Sequence, residues 1–190
     1  MRRRQEQMSL RSTYGNLESR GKIALSSRLI ASVLAGTIAI ALNMALLSFA
    51  NGAGIITSHG GLFRLFTSII IPLGCSLRLI DGRSDLPPYS QPIFHILTGL
   101  AMAIAYALMI EPRLPGRPYF KGLAYGTVVW CFNAFLVLPL TGEGLAGSRN
   151  LKPVGLIVFA LAHMSFFLAL SVLYEVLRPT ADPGRTDARF

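Results

Sequence analysis

The sequence predicts an all-α transmembrane protein, a four-helix bundle with one further interfacial or re-entrant helix. Composition is the first reason, since 52% of the 190 residues are hydrophobic, only 14% are charged, and the mean hydropathy is +0.52. A soluble domain of this size would need more charged residues to cover its surface. The second reason is that most apolar residues fall into four long runs, each near the ~20 residues that cross ~30 Å of hydrocarbon.

Each run is predicted to be one spanning helix, and the four runs are residues 29–49, 93–110, 123–140 and 154–177. Their central parts contain no acidic or basic residue, since Glu175 lies in the last turn of the fourth. The first run is about 21 residues long, whereas the apolar part of a secretory signal peptide has ~7–15. We therefore predict a membrane anchor there, and one membrane domain over residues 27–178.

Basic residues predict the orientation of the chain. Of the 18 Lys and Arg residues, 13 lie before the first span, between spans two and three, or after span four, and five lie in the other two loops. This asymmetry is the positive-inside pattern for cytoplasmic N- and C-termini. Residues 1–26 are predicted to be a basic cytoplasmic tail with about one helical turn, touching anionic headgroups, and residues 179–190 a disordered cytoplasmic end. Nucleic-acid binding is not expected, because no basic fold accompanies the charge.

An internal repeat relates the two halves of the chain. Spans one and three align with an offset of 90, and spans two and four with an offset of 68. The matched pairs are Gly36/Gly126, Thr37/Thr127, Asn43/Asn133, His95/His163 and Tyr106/Tyr174. Matched Asn, His, Tyr and Gly are rarer in such a composition than Leu or Ala. The repeat predicts two parallel-repeat hairpins, related by an axis along the membrane normal.

Residues 62–80 are apolar enough to be considered a fifth span. A fifth span there would invert span two and place His95 and His163 at opposite faces of the membrane. The change of offset from 90 to 68 means that the first hairpin carries 22 extra residues between its helices. With Arg64 and Arg78 near its ends and Pro72 in its middle, the segment is predicted to be an interfacial or re-entrant helix in the first outer loop.

Small residues predict where the helices approach one another. Ser32 with Gly36, and Gly122 with Gly126, are separated by four residues, and Gly99 continues this theme in span two. Lipid tails supply no hydrophobic drive between helices, so small residues stabilise by letting backbones approach. We predict close packing inside the bundle, with a dimer interface as the alternative.

Asn43 and Asn133 place an amide in the centre of spans one and three. An amide in hydrocarbon must find hydrogen-bond partners. The structural interpretation is a hydrogen bond across the repeat axis. The functional alternative is a ligand or proton path that both side chains line.

His95 and His163 are the candidate cofactor-binding residues, each followed 11 residues later by a tyrosine, Tyr106 or Tyr174, on the same helix face. Two neutral imidazoles could hold a haem iron or another transition metal, and one could ligate the magnesium of a chlorophyll-type pigment. Quinone binding or proton transfer is a further alternative. The structural alternative is a histidine hydrogen-bonded to the facing Asn or to a backbone carbonyl.

Patterns typical of catalysis are absent from the sequence: no Ser/His/Asp, HExxH, Walker or CxxC motif occurs. No catalytic residue and no metal site are predicted, and Cys75 and Cys131 are poorly placed to pair. Gly52-x-Gly54 and Gly142-x-Gly144 are expected to be helix-ending turns, with Glu143 a solvated loop residue. The function predicted first is an accessory or scaffold subunit that contacts lipids and other membrane subunits or itself. The alternatives are a haem-, pigment- or quinone-binding redox subunit, and a small transporter or channel lined by Asn43 and Asn133.

Four features carry a resemblance to a known family. They are the Gly-Thr opening of span one, Lys121-Gly122-x2-Tyr125-Gly126-x3-Trp130, Pro139-Leu140-x-Gly142-x-Gly144, and the two His-x10-Tyr helices. Over residues 28–177 the chain resembles the uncharacterised bacterial four-span inner-membrane proteins of the YagU-like kind. The resemblance implies the four-span topology and the bacterial inner membrane, and no activity. Span four departs from the pattern after its histidine, where it carries Phe166 and Phe167.

Overall fold

The computed structural model describes residues 2–57, 60–76 and 86–178, with side chains from residue 25 onward. Within these ranges the regular secondary structure is helical, with no strand and with five helices that shape the fold. They are α1 (Arg2–Gly52), α2 (Gly61–Ser76), α3 (Ser90–Ile110), α4 (Pro118–Leu140) and α5 (Pro153–Leu177). A short 3₁₀ turn, Leu145–Gly147, lies between α4 and α5.

Four of these helices are long and apolar enough to cross a membrane, judged by length and composition: Leu25–Gly52 of α1, and all of α3, α4 and α5. Each contains one of the four predicted runs and begins between one and five residues before it. The prediction of four long apolar helices is therefore confirmed. Pro118 and Pro153 stand in the first turns of α4 and α5, where a missing backbone N–H removes no helical bond.

The N-terminal segment differs from its prediction. The tail expected at residues 1–26 is helical from Arg2 onward, and it is continuous with the first span in one 51-residue helix. A helix already nucleated by the span extends at little further cost, which local polarity alone does not reveal. The predicted disordered end at residues 179–190 lies outside the described residues.

The packing is organised around α5, which lies between α1 and α4, while α3 packs against α1. By contrast, α3 and α4 meet over a short stretch, where Tyr106 and Tyr125 stack with ring centroids 6.2 Å apart. The sequence repeat pairs α1 with α4 and α3 with α5. An exact twofold arrangement would give the α3–α4 contact the same extent as the α1–α5 contact, and the two are unequal.

Two helices contain a π-turn. In α3 it covers Tyr106–Ile110, and the Glu111 N–H donates to the Tyr106 carbonyl at 2.9 Å. In α4 it covers Asn133–Val137. A π-turn adds one residue to a helical turn and rotates everything that follows it. Both π-turns therefore re-aim the residues at the ends of these helices.

Helix α2 occupies the segment predicted at residues 62–80, of which residues 77–80 are not described. Its 16 residues span roughly 24 Å, less than a bilayer core. It begins where α4 ends: a Cβ on Gly61 would lie 2.7 Å from Leu138. Phe63 and Phe66 then pack on Phe94 of α3, with ring centroids 5.4 and 5.0 Å away.

Candidate functional site

Asn43 is the centre of the polar contacts among the apolar helices. It is buried, and its Nδ2 donates to the Ala162 carbonyl on α5 at 2.8 Å. Because that carbonyl can only accept, the amide is oriented with Oδ1 towards α3, 3.0 Å from His95 Nε2. His95 Nε2 therefore carries the proton and donates it. One side chain joins α1, α3 and α5.

His163 is held by its own helix. Its Nδ1 lies 3.1 Å from the Phe159 carbonyl one turn earlier, and its ring meets the Phe159 ring edge-on at 4.4 Å. Since a carbonyl only accepts, Nδ1 is protonated and the neutral ring carries its lone pair on Nε2. This is the tautomer of a histidine that ligates a metal through Nε2.

The two predicted histidines thus make the hydrogen bonds of the structural alternative, His95 to the facing Asn and His163 to a backbone carbonyl. They are near one another, because Asn43 binds the carbonyl of the residue directly before His163. Over the part of the chain that the structure describes, no group of three or more His, Cys, Asp or Glu could hold a metal ion.

The small residues predicted for packing lie at helix contacts. A Cβ on Gly36 would come 2.6 Å from Ala103, and one on Gly99 would overlap Ile40. In the second hairpin, a Cβ on Gly122 would overlap Ser171, and one on Gly126 would lie 3.1 Å from Phe167. Ser32 is fully buried, and its hydroxyl donates to the Leu29 carbonyl.

These contacts relate the α1–α3 pair of helices to the α4–α5 pair. Ala103 and Gly99 correspond to Ser171 and Phe167 with the offset of 68 that the sequence repeat has. Their partners on the other helix, Gly36 and Ile40, correspond to Gly122 and Gly126 with an offset of 86 instead of 90. The difference is about one helical turn. By contact, the counterpart of Asn43 is therefore Val129.

Asn133 consequently does not repeat the role of Asn43. It lies half-buried at the first position of the α4 π-turn. Its side chain makes no hydrogen bond within the described ranges. The Trp130 Nε1 is a buried donor without a partner in the described structure, and the Trp130 ring meets Phe135 edge-on at 6.5 Å. From the sequence, Trp130 entered only as part of the resemblance motif, because a lone Trp in a span is ordinary.

The two tyrosines matched by the repeat do meet. Tyr106 and Tyr174 are 1% and 0% exposed and contact edge-to-face with centroids 5.6 Å apart. Tyr125 extends the group by stacking on Tyr106 and meeting Phe167 edge-on at 4.8 Å. In span four, Phe167 therefore packs against Tyr125 at a position after His163 where a small residue was expected.

One end of the packed helices, here called the Glu111 end, carries an ion cluster that the sequence analysis missed. Glu111 follows α3 directly and is 8% exposed. Its carboxylate binds Arg28 of α1 at 2.8 Å and also Arg178 at the end of α5. Lys121 of α4 lies 3.7 Å from the same carboxylate and donates to the Glu111 carbonyl at 3.1 Å. One acidic residue therefore joins all four long helices. The sequence feature that could have predicted this role is that Glu111 is the one acidic residue in a basic loop.

The opposite end, here called the Glu143 end, holds a second buried carboxylate. Glu143 was expected to be solvated, but it is 0% exposed, because the chain turns inward there. Gly142 and Gly144 have φ of 81° and 78°, which confirms the predicted helix-ending turn and suits glycine. Neither carboxylate oxygen has a hydrogen-bond partner within the described residues, and Arg64 lies 3.7 Å away.

The fold defines a class: a helical chain with four candidate spans, which suggests a multi-pass membrane protein. Comparison with protein families, curated proteins and solved structures finds no match to this chain. The resemblance to the YagU-like kind therefore stays a prediction that rests on the motifs.

Proposed function

We propose that this chain is a multi-pass protein of the bacterial inner membrane that acts as an accessory or scaffold subunit beside other membrane proteins. Its four spans form a bundle of two hairpins, with both termini in the cytoplasm and α2 on the outer side. The thirteen-to-five distribution of basic residues supports this orientation.

The pairing of polar atoms around Asn43 is the observation that carries the proposal. A cofactor site or permeation path needs polar groups turned towards the ligand or the path. Here the Asn43 Oδ1 accepts from His95 and the Nδ2 donates to the Ala162 carbonyl, so both amide atoms bond α1 to a neighbouring helix. Such bonds stabilise a membrane bundle and favour a structural role.

One exposed face of α1 is suited to close contact with a helix of a partner protein. Thr37, Ala41 and Ala45 recur at every fourth position of α1, and all three are exposed. Small residues in this spacing allow another helix to approach closely. Large side chains flank them, since Ile38 is 45% and Leu42 is 51% exposed.

The test is the amount of a membrane protein that co-purifies stoichiometrically with the full-length chain from native membranes. Ala41→Phe is expected to reduce this amount by about tenfold, because a bulky ring blocks close approach. Leu42→Phe, beside it and already large, is the matched control and retains the partner. Equal retention by both variants, or no stoichiometric partner, would contradict the proposal. A visible absorption band of the purified protein that disappears in His163→Gln would instead establish the cofactor alternative.

A further inference from the structure

An apolar groove runs between α2 and the first two turns of α3. Phe63, Phe66 and Ile70 line it from α2, and Ile93 and Leu97 line it from α3. Its volume is about 360 Å³. The lining is left uncovered by the described chain, since Phe66 is 45% and Leu97 is 60% exposed. Among the described residues, the groove is therefore an open apolar surface.

The groove begins at the Glu143 end of the helices. The α3 side belongs to the candidate span Ser90–Ile110 and includes its first residue, Ser90. The α2 side begins beside the last turn of α4, at Gly61. Both walls therefore start at the Glu143 end and run into the apolar region. Given the membrane location proposed above, the groove lies where acyl chains of one leaflet reach their headgroups.

A cation lies on α2 beside the groove, at the end nearest Gly61, although it is not one of the lining residues. Arg64 lies in the first turn of α2, between the lining residues Phe63 and Thr67, and its side chain is 52% exposed. It is 3.7 Å from Glu143, which is longer than a hydrogen bond, so its guanidinium keeps N–H groups for another acceptor. Guanidinium groups bind phosphate with paired hydrogen bonds.

We propose that the groove is a binding site for one phospholipid, whose acyl chain lies between α2 and α3 and whose phosphate binds Arg64. The lipid fills the gap between two helices that touch mainly through Phe63, Phe66 and Phe94. It thereby attaches α2 to the spans. A phosphodiester with acyl chains matches both the apolar walls and the cation, whereas a lipid without phosphate matches the walls alone.

The test counts lipids bound to the full-length protein by native mass spectrometry, after exchange into detergent with a defined phosphatidylglycerol or with the diacylglycerol of the same chains. The wild-type protein is expected to retain one phosphatidylglycerol, about fivefold more strongly than diacylglycerol, the effect of one cation near a headgroup. Retention of detergent alone would overturn the proposal.

Two variants on neighbouring residues test the groove itself. Thr67→Trp fills it and is expected to abolish retention of both lipids. Ser68→Trp is the matched control, because Ser68 is exposed and is not one of the lining residues. The two hydroxyls make the same kind of bond, to the carbonyls of Arg64 and Leu65. Equal retention by both variants, each confirmed as folded by its thermal unfolding, would overturn the site.

The role of Arg64 is tested with Arg64→Gln in a Glu143→Gln background, so that no unpaired buried carboxylate remains. This double variant is expected to bind the two lipids equally, while Glu143→Gln alone keeps the preference for phosphatidylglycerol. A preference that survives loss of Arg64 would contradict phosphate binding there. The outcome is independent of the Ala41→Phe experiment, so failure of the scaffold role and failure of the lipid site are distinguishable.

Discussion

The two ends of the packed helices each bury one carboxylate, and the two carboxylates differ in how they are paired with basic groups. Glu111 accepts hydrogen bonds from Arg28 and Arg178 and has Lys121 nearby. Glu143 has no hydrogen-bond partner among the described residues, and one half-exposed arginine stands 3.7 Å away. The first carboxylate is fully paired and the second is loosely paired.

This difference shows that burial of a charge does not by itself stabilise. Removing a carboxylate from water costs several kcal/mol, which is offset only when good geometry and hydrogen bonds accompany the opposite charge. Glu111 meets that condition with one basic group from each of the other three long helices. Glu143 does not. The Glu143 end is therefore held together by apolar contacts, and the cost of burying its carboxylate is poorly offset.

The largest expected effect is that of Glu111→Gln. The substitution removes the carboxylate that accepts from Arg28 and Arg178, both partly exposed, and leaves the more buried Lys121 without its countercharge. The expected cost is about 3 kcal/mol. Thermal unfolding of the full-length protein in detergent measures the loss. Glu175→Gln is the control, because its ion pair with Arg178 is partly exposed and contributes about 1 kcal/mol or less. Equal effects of the two substitutions would show that Glu111 does not join the helices.

An intermediate effect is expected midway between the ends, for Asn43→Leu. Two hydrogen bonds are lost and the His95 N–H is left without its acceptor, which together cost about 2 kcal/mol. Asn133→Leu is the matched substitution and is expected to cost about 0.5 kcal/mol or less, since no hydrogen bond is lost. Similar losses in thermal unfolding would mean that the two amides are equivalent, as the sequence offset of 90 implies.

The smallest effect is expected for Glu143→Gln. No hydrogen bond is lost, and the cost of burying a charge disappears, so stability should stay within about 1 kcal/mol of the wild type or increase. The same unfolding measurement decides. A loss as large as that of Glu111→Gln would mean that the two ends do not differ in the way their contacts indicate.

The sequence was sufficient to predict what depends on composition and local spacing. The four long apolar helices and the turn at Gly142 follow from hydropathy and from glycine, and the structure has them. The helix predicted at residues 62–80 is present as Gly61–Ser76, and residues 77–80 are not described. The burial of Glu111 and Glu143 could not be predicted. It depends on which helix ends meet in space, and hydropathy contains no information about that.

The repeat shows a subtler limit. Identical residues aligned Asn43 with Asn133. The helix contacts instead make Gly122 the counterpart of Gly36, which displaces Asn133 from the position of Asn43 by one helical turn. Residues four apart share a helix face, so a sequence alignment shifted by four keeps the same apolar pattern. Only contacts between helices distinguish the two registers. The offset of 68 is the same by letters and by contacts.

The continuous helix α1 has a mechanical consequence. From Arg2 to Arg28 it extends roughly 39 Å, and from Arg28 to Asn43 roughly 22 Å. Treated as a rigid rod held at Arg28 by Glu111, it is a lever with its longer arm outside the span. A sideways force that moved the far tip by about 5 Å would shift Asn43 by about 3 Å the other way. That is as long as the hydrogen bonds Asn43 makes, so a load on the tip would reach His95 and α5 directly.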